Sequence, residues 1–459
     1  MLSDPVKIII LLFLYFGFAP FLGIFIRSNR TLQKVVFAMM VFFTVLKYRI
    51  ISINPYLPSP EAGLFFHGHT WGFECTAMDV MAIALLFTGR DPTKKVSWFP
   101  PGLLLWVLFC AASSLSIVNA PQPFLVVMAT FKFFKVSVVY IATYHFIRKE
   151  EDIHFLFKTF AWLLLFQGMV CIIQRYLFGV YQVPALFDHQ NSLVMYSYMT
   201  GLPLLAAALS KTKRNRFYLY LSGFIASGLA TLFSLSRMGV LCFGAGSILV
   251  IFLSLVDGFS RRRILVTIFM FLASIAVLAK AANTLMGRFT ADVNIPSKMT
   301  RDVLNRASRQ MLTDYPFFGG GWNNYGVLIN RPFRYGAGFE EWEADEGYNS
   351  TYSENAYRPI SESWYYLMLA ENGFVGTGFC FIFFLTTLYW CGRAMFFYRH
   401  TFLGSVSMGL FCGLGMNYVQ SNTEHVLYQP KNLVMWFICL ATVAKLHWWR
   451  LHWKKQRPR

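Results

Sequence analysis

Residues 286–330 read MGRFTADVNIPSKMTRDVLNRASRQMLTDYPFFGGGWNNYGVLIN, and residues 331–363 read RPFRYGAGFEEWEADEGYNSTYSENAYRPISES. Apolar segments of membrane-spanning length lie on both sides of this polar run. A spanning helix needs ~20 mostly apolar residues, so the flanks read as anchors and the stretch from 284 to 361 as one large loop. Loops on a rigid frame carry function disproportionately, and the chemistry is expected here and at the membrane edge beneath it. The early loop is basic, with Arg288, Lys298, Arg301, Arg306 and Arg309; the later part is acidic, with Glu340, Glu341, Glu343, Asp345 and Glu346. Arginine suits a phosphate because its planar fork donates two parallel hydrogen bonds and stays charged. The same charges also fit a solvated amphipathic helix with i,i+4 pairs such as Asp302 with Arg306.

Working outward, 56% of the chain is apolar and only 14% charged, which is the composition of an all-α, polytopic integral membrane protein. Apolar runs fall near 8–26, 35–53, 73–89, 101–119, 124–146, 153–174, 191–210, 217–236, 239–256, 264–283, 364–392, 402–420 and 432–446, giving about 12–13 transmembrane helices by the ~20-residue criterion. The run at 35–53 is the weakest, because Lys47 and Arg49 interrupt it. The chain then divides into helices 1–10 over 1–283, the loop over 284–361, and the last helices with a basic tail over 362–459.

The net charge of +19 would suggest nucleic acid in a soluble protein. Here the basic residues fall in short loops, which is the positive-inside pattern, and nucleic acid is not expected as a partner. Arg27/Arg30/Lys34, Arg90/Lys94/Lys95, Arg148/Lys149, Lys211/Lys213/Arg214/Arg216, Arg261/Arg262/Arg263, Arg393/Arg399 and Lys454/Lys455/Arg457/Arg459 fall on one side if every run spans. That places the C-terminus in the cytoplasm, with the N-terminus and the long loop outside. The eight cysteines sit in or beside apolar runs and none lies in the loop, so neither a disulfide framework nor a metal site is expected. The first run lacks the short h-region and small-residue cleavage site of a signal peptide and reads as a retained span.

Asp79 falls inside the third apolar run, and Lys132 and Lys135 fall inside the fifth. A charge at mid-depth costs ~2.5–3.5 kcal/mol, so it has a partner or a task. Either a buried Asp–Lys pair locks helices together, or the two lysines, on one helix face, line a path for a ligand. Arg237, at the edge of the eighth run, either snorkels to the interface or meets a phosphate at headgroup level.

Three motifs recur in order: FDHQNSLVMYSYMTGLPLL at 187–205, FSLSRMG at 233–239, and TRDVLNRASRQMLTDYPFFGGGWNNY at 300–325 followed by ESWYYLMLAENGFVG at 362–376. Together they resemble the O-antigen ligase and polymerase family, polytopic bacterial enzymes that use undecaprenyl-diphosphate-linked glycans. The loop pattern of that family maps onto Arg301, Asp314, Pro316, Gly319, Gly321, Asn324 and Tyr325, and its tail onto Tyr365, Leu369, Ala370, Glu371, Gly373 and Gly376. The opening third, with INP at 53–55 and HTWGF at 69–73, resembles the exosortase-associated O-glycosylation ligase branch. One departure matters: the histidine proposed as the base of the ligases is Glu362 here, and the following asparagine is Ser363. A carboxylate can also accept the acceptor's proton if held beside the hydroxyl.

The resemblance implies glycosyl transfer on the periplasmic or extracytoplasmic face of the bacterial inner membrane. The partners are an undecaprenyl-diphosphate-linked glycan donor, membrane lipid and a hydroxyl-bearing glycan, lipid or protein acceptor. A cationic pocket must stabilise the developing diphosphate charge. Arg237 and Arg301 are the first choices for that, with Arg288 and Arg309 next, and Glu362 is the base. Asn191, Asn324, Tyr325 and His425 complete the substrate-binding candidates, with Glu424, His189 and Glu354 as other outer-face groups. No cofactor and no metal are expected, and the reaction is a direct displacement with inversion. Each motif also has a plainer reading. Gly319–Gly321 is a turn after Pro316, Trp322 and Tyr325 pack the loop down, Asn191 is a helix N-cap, and Glu371 with Asn372 ends a short helix before Gly373. Two other functions fit the sequence: a transporter or flippase of lipid-linked saccharide, which would use Lys132 and Lys135 and not need the loop, and a non-catalytic membrane scaffold.

Overall fold

The structure is a computed structural model that describes residues 4–46, 49–53, 68–88, 98–272, 275, 296–329, 333, 335 and 360–456. In chain order the elements are α1 (Pro5–Ile26, with a wider π turn at Phe13–Phe18), α2 (Arg30–Phe42), β1 (Arg49–Ile53), β2 (Phe73–Thr76) and α3 (Ala77–Phe87). They continue with α4 (Leu103–Ser114), α5 (Pro123–Phe146), α6 (Glu150–Tyr176), α7 (Gln190–Leu209), α8 (Arg214–Ser234), α9 (Arg237–Asp257) and α10 (261–272). The last four are α11 (Pro296–Asp314), α12 (Trp364–Phe397), α13 (Phe402–Gln420) and α14 (Pro430–Gln456). Among the described residues eight helices are long and apolar enough to cross a membrane: α1, α5, α6, α7, α8, α9, α12 and α13. The protein is an all-α, multi-pass membrane protein. The second half of the 264–283 run, Arg288, Arg90, Lys94, Lys95, Glu354 and the acidic stretch 340–346 lie outside the described residues.

α7 is the axis of the bundle, with every residue from Ser192 to Leu209 buried. Its Pro203 leaves a backbone that a neighbour must approach closely. Gly409 of α13 does so: a Cβ there would stand 2.4 Å from Pro203 Cα. All eight cysteines are free and buried.

The run at 35–53 is not one helix. α2 ends at Phe42, and residues 49–53 form a strand that pairs antiparallel with the first four residues of the next run. The charge at Arg49 finds its partner this way, because the hairpin brings its guanidinium 2.6 Å from Glu74. Non-helical backbone at membrane depth is tolerated only where protein or a wet cavity satisfies it. Here Lys135 Nζ donates to the Glu74 carbonyl at 2.7 Å. The 73–89 run is likewise a strand and then a helix. Thr76 caps α3 in a reciprocal capping box, accepting from the Asp79 N–H while Asp79 accepts from Thr76. Asp79 is therefore a first-turn residue, and Lys135 Nζ lies 2.7 Å from its carboxylate. Asp79 and Lys135 thus form the buried pair, while Lys132 Nζ donates to the His69 carbonyl at 2.7 Å.

Several basic turns gather at one end of the bundle. Arg30 pairs with Asp152 at 2.8 Å, Arg216 with Glu151 at 2.9 Å and Arg399 with Asp257 at 3.6 Å, while Arg262 donates to the Ser210 carbonyl at 2.8 Å. The loop motifs sit at the opposite end.

Candidate active site

The site is assembled on a clamp made by the glycine-rich turn. Gly319 (φ +75°) and Gly373 (φ +59°) are in the left-handed region, where a side chain is strained. A Cβ on Gly319 would stand 2.3 Å from the Glu371 carbonyl carbon, and one on Gly373 2.5 Å from that of Phe317. The close approach lets Gly320 N–H reach the Ala370 carbonyl at 2.8 Å and Gly321 N–H reach the Glu371 carbonyl at 3.1 Å. Gly373 also breaks α12, so residues 364–372 form a short helix before the span. Glu371 is buried and accepts from the Tyr325 N–H at 3.3 Å, with His69 Nε2 at 3.2 Å.

The rest of the turn is tied to its neighbours. Asn323 exchanges two hydrogen bonds with the Thr70 backbone, at 2.8 and 3.1 Å. Asn324 does the same with Gln122, at 2.9 and 3.2 Å. Tyr325 is buried, and its hydroxyl donates to the Leu304 carbonyl at 2.8 Å. Asn324 and Tyr325 therefore belong to the clamp.

Beside the clamp is a cavity of about 820 Å³. Arg237, Arg301 and Glu362, from three separated parts of the chain, all line it, together with His189, Asn191, Glu424, His425 and Gln429. Local structure explains the convergence. The SLSR turn places Leu235 in the left-handed region (φ +52°), and Ser236 accepts from the Gly239 N–H to start α9. Arg237 is the first residue of that helix, where its own charge adds to the positive end of the helix dipole. Arg301 is on the first turns of α11, and its Nε donates to Glu362 Oε2. Trp364 N–H donates to the Ser421 carbonyl at 2.9 Å, which pins the Glu362 segment against the 421–429 loop. That loop delivers Glu424, whose carboxylate accepts from Asn191 Nδ2 and lies 3.9 Å from Arg301 Nη2.

Asn191 is thus a second-position helix residue turned to the cavity. The N-cap of α7 is His189, whose ring accepts from the Asn191 N–H at 3.2 Å. Glu424, which carries no motif in the sequence, is a cavity wall. Burial and the neighbouring Glu362 charge push its carboxyl up to about 7. Arg309 lies on an exposed part of α11 and donates to the Tyr366 hydroxyl at 2.8 Å; it is not among the cavity walls. The Lys298 side chain and Arg288 lie outside the described residues.

Residues 222–382, about a third of the chain, match a family model described as O-antigen ligase. The matched segment holds Arg237, Arg301, the 314–325 turn and Glu362; Asn191, Glu424 and His425 lie outside it. No curated protein matches the chain.

Proposed function

From this O-antigen ligase domain and the cavity it helps to build, we infer that the protein moves a glycan from an undecaprenyl-diphosphate donor to a hydroxyl acceptor. The observation that carries the reading is the shared cavity: Arg237, Arg301 and Glu362 face one hollow at the end of the bundle away from the basic turns. By the positive-inside rule the basic end is cytoplasmic, so the cavity opens outside, where no nucleotide sugar is available and the donor must arrive activated on lipid. This topology puts the N-terminus outside and the C-terminus in the cytoplasm of a bacterial inner membrane.

In this mechanism Arg237 and Arg301 take the diphosphate by bidentate, charge-assisted hydrogen bonds. The Arg301–Glu362 pair is about a third exposed on each side, and such pairs are worth ~0–1 kcal/mol. A diphosphate can therefore displace Glu362 from Arg301 at little cost. The released carboxylate accepts the acceptor's hydroxyl proton. The acceptor oxygen bonds to the anomeric carbon as that carbon's bond to the phosphate oxygen breaks, inverting the centre. The electron pair leaves on undecaprenyl diphosphate, whose charge the two guanidinium groups stabilise. Asn191 and His425 position the substrates from the cavity wall.

The test is an assay of the purified protein with a lipid-diphosphate glycan and candidate acceptors. A transferase releases free lipid diphosphate and extends the acceptor; a flippase only moves the donor across; a scaffold does neither.

A further inference from the structure

A second, smaller cavity of about 260 Å³ adjoins the first, and His425 and Gln429 line both. Its charges are balanced. Arg49 pairs with Glu74 at 2.6 Å and Lys135 with Asp79 at 2.7 Å; Lys132 Nζ donates to the His69 carbonyl at 2.7 Å, and Asp188 supplies a third acid to the described lining. No cationic excess is left to attract a diphosphate. The walls mix these charged and polar groups with a larger apolar surface, and they lie against the hairpin and α5. A ligand that displaces water from such walls must replace its hydrogen bonds. Between the polar groups stand three aromatic side chains, Trp71, Phe131 and Tyr428. Hydroxyl-binding groups together with aromatic side chains match the polar rim and the apolar face of a sugar ring. The volume lies just below the ~300–1,000 Å³ usual for ligand pockets, which suits one ring and excludes a chain of them.

We propose that this cavity holds a single sugar ring, placed by the His425–Gln429 wall next to the diphosphate hollow. The inference rests on the transferase reading and deepens it. The ring is either the donor's sugar next to the diphosphate or the acceptor's terminal unit.

The experiment uses the full chain in nanodiscs and two separate probes. Ligand-observed NMR is run with methyl glycosides of glucose, galactose and N-acetylglucosamine, and farnesyl diphosphate is titrated independently. At least one glycoside should bind, and Trp71→Ala and Asp188→Asn should each weaken it by about tenfold, ~1.4 kcal/mol. Both positions are exposed, so the variants keep the fold, and unchanged farnesyl diphosphate binding verifies it. A glycoside competed away by a sugar-bearing short-chain donor identifies the ring as the donor's; one that stays bound identifies it as the acceptor's. The proposal is overturned if no glycoside binds, or if binding ignores both substitutions. Farnesyl diphosphate binding that ignores Arg301→Ala would instead bring down the transferase reading.

Discussion

The backbone N–H of Trp364 donates to the carbonyl of Ser421 at 2.9 Å, and this contact holds together the two segments that bring Glu362 and Glu424 to Arg301. One guanidinium therefore faces two carboxylates. Glu362 reaches the cavity from the start of α12, and Glu424 reaches it from the loop between α13 and α14. The first is about a third exposed; the second is only 12% exposed and is held by Asn191. The difference in burial gives the two acids different tasks.

Glu424 titrates near pH 7, so the charge left on Arg301 for a phosphate depends on pH. Below 7 Glu424 is neutral and only Glu362 competes for Arg301; above 7 both carboxylates compete with the ligand. Farnesyl diphosphate affinity should fall by about tenfold from pH 6 to 8, and Glu424→Gln should remove the drop. The stability consequence has a definite sign. A carboxyl raised from 4.5 to about 7 binds more protons folded than unfolded, so it lowers stability as pH rises through that window. The Tm advantage of Glu424→Gln over the native chain should grow between pH 5 and pH 8 in thermal unfolding.

Arg301 and Arg309 are eight residues apart on one helix, about 12 Å along its axis, and only the first reaches the cavity. Arg301→Lys should lose ~10²-fold in transfer rate, because a point charge replaces a fork at a charge-stabilising position. Arg309→Ala should keep the rate within about threefold. Steady-state kinetics of the two variants side by side checks both.

Asp79 and Lys135 are buried partners, with side-chain exposures of 4% and 15%. Removing one partner of a buried pair costs ~3–5 kcal/mol. Asp79→Leu should be the more damaging change, since it also removes the carboxylate half of the α3 capping box. Lys135→Met should be milder, because Asp79 keeps its bonds to Thr76. The double variant should be no less stable than Asp79→Leu alone, measured as Tm in detergent.

Gly319→Ala and Gly373→Ala should each lower Tm and activity together, since each Cβ meets backbone within 2.5 Å. Gly378→Ala, with open space around it, should be neutral or slightly stabilising, as alanine favours a helix by ~1 kcal/mol over glycine.

Much of this was legible in the sequence, for identifiable reasons. Apolar length gave the multi-pass helical fold. The order of the three motifs pointed to Arg237, Arg301 and Glu362 before their common cavity was visible. The hairpin at Arg49 and Glu74 was not legible: a short run with isoleucines at 50, 51 and 53 reads alike as strand or as buried helix, and the partner strand begins twenty residues on. Motif membership also said nothing of direction. Asn324 and Tyr325 sit in the same pattern as Arg301, yet their side chains turn to Gln122 and Leu304 and build the clamp. Glu424 carried no motif, and its raised pKa comes from burial that only the folded chain creates.

We propose that Arg237 and Arg301 grip the diphosphate of a lipid-linked glycan. The most direct measurement is the amount of that lipid-linked precursor in cells whose gene is deleted and then complemented. With Arg237→Ala or Arg301→Ala present in the membrane at native levels, the precursor should accumulate as it does in the deletion. Precursor levels restored to those of the native gene by either variant would contradict the account.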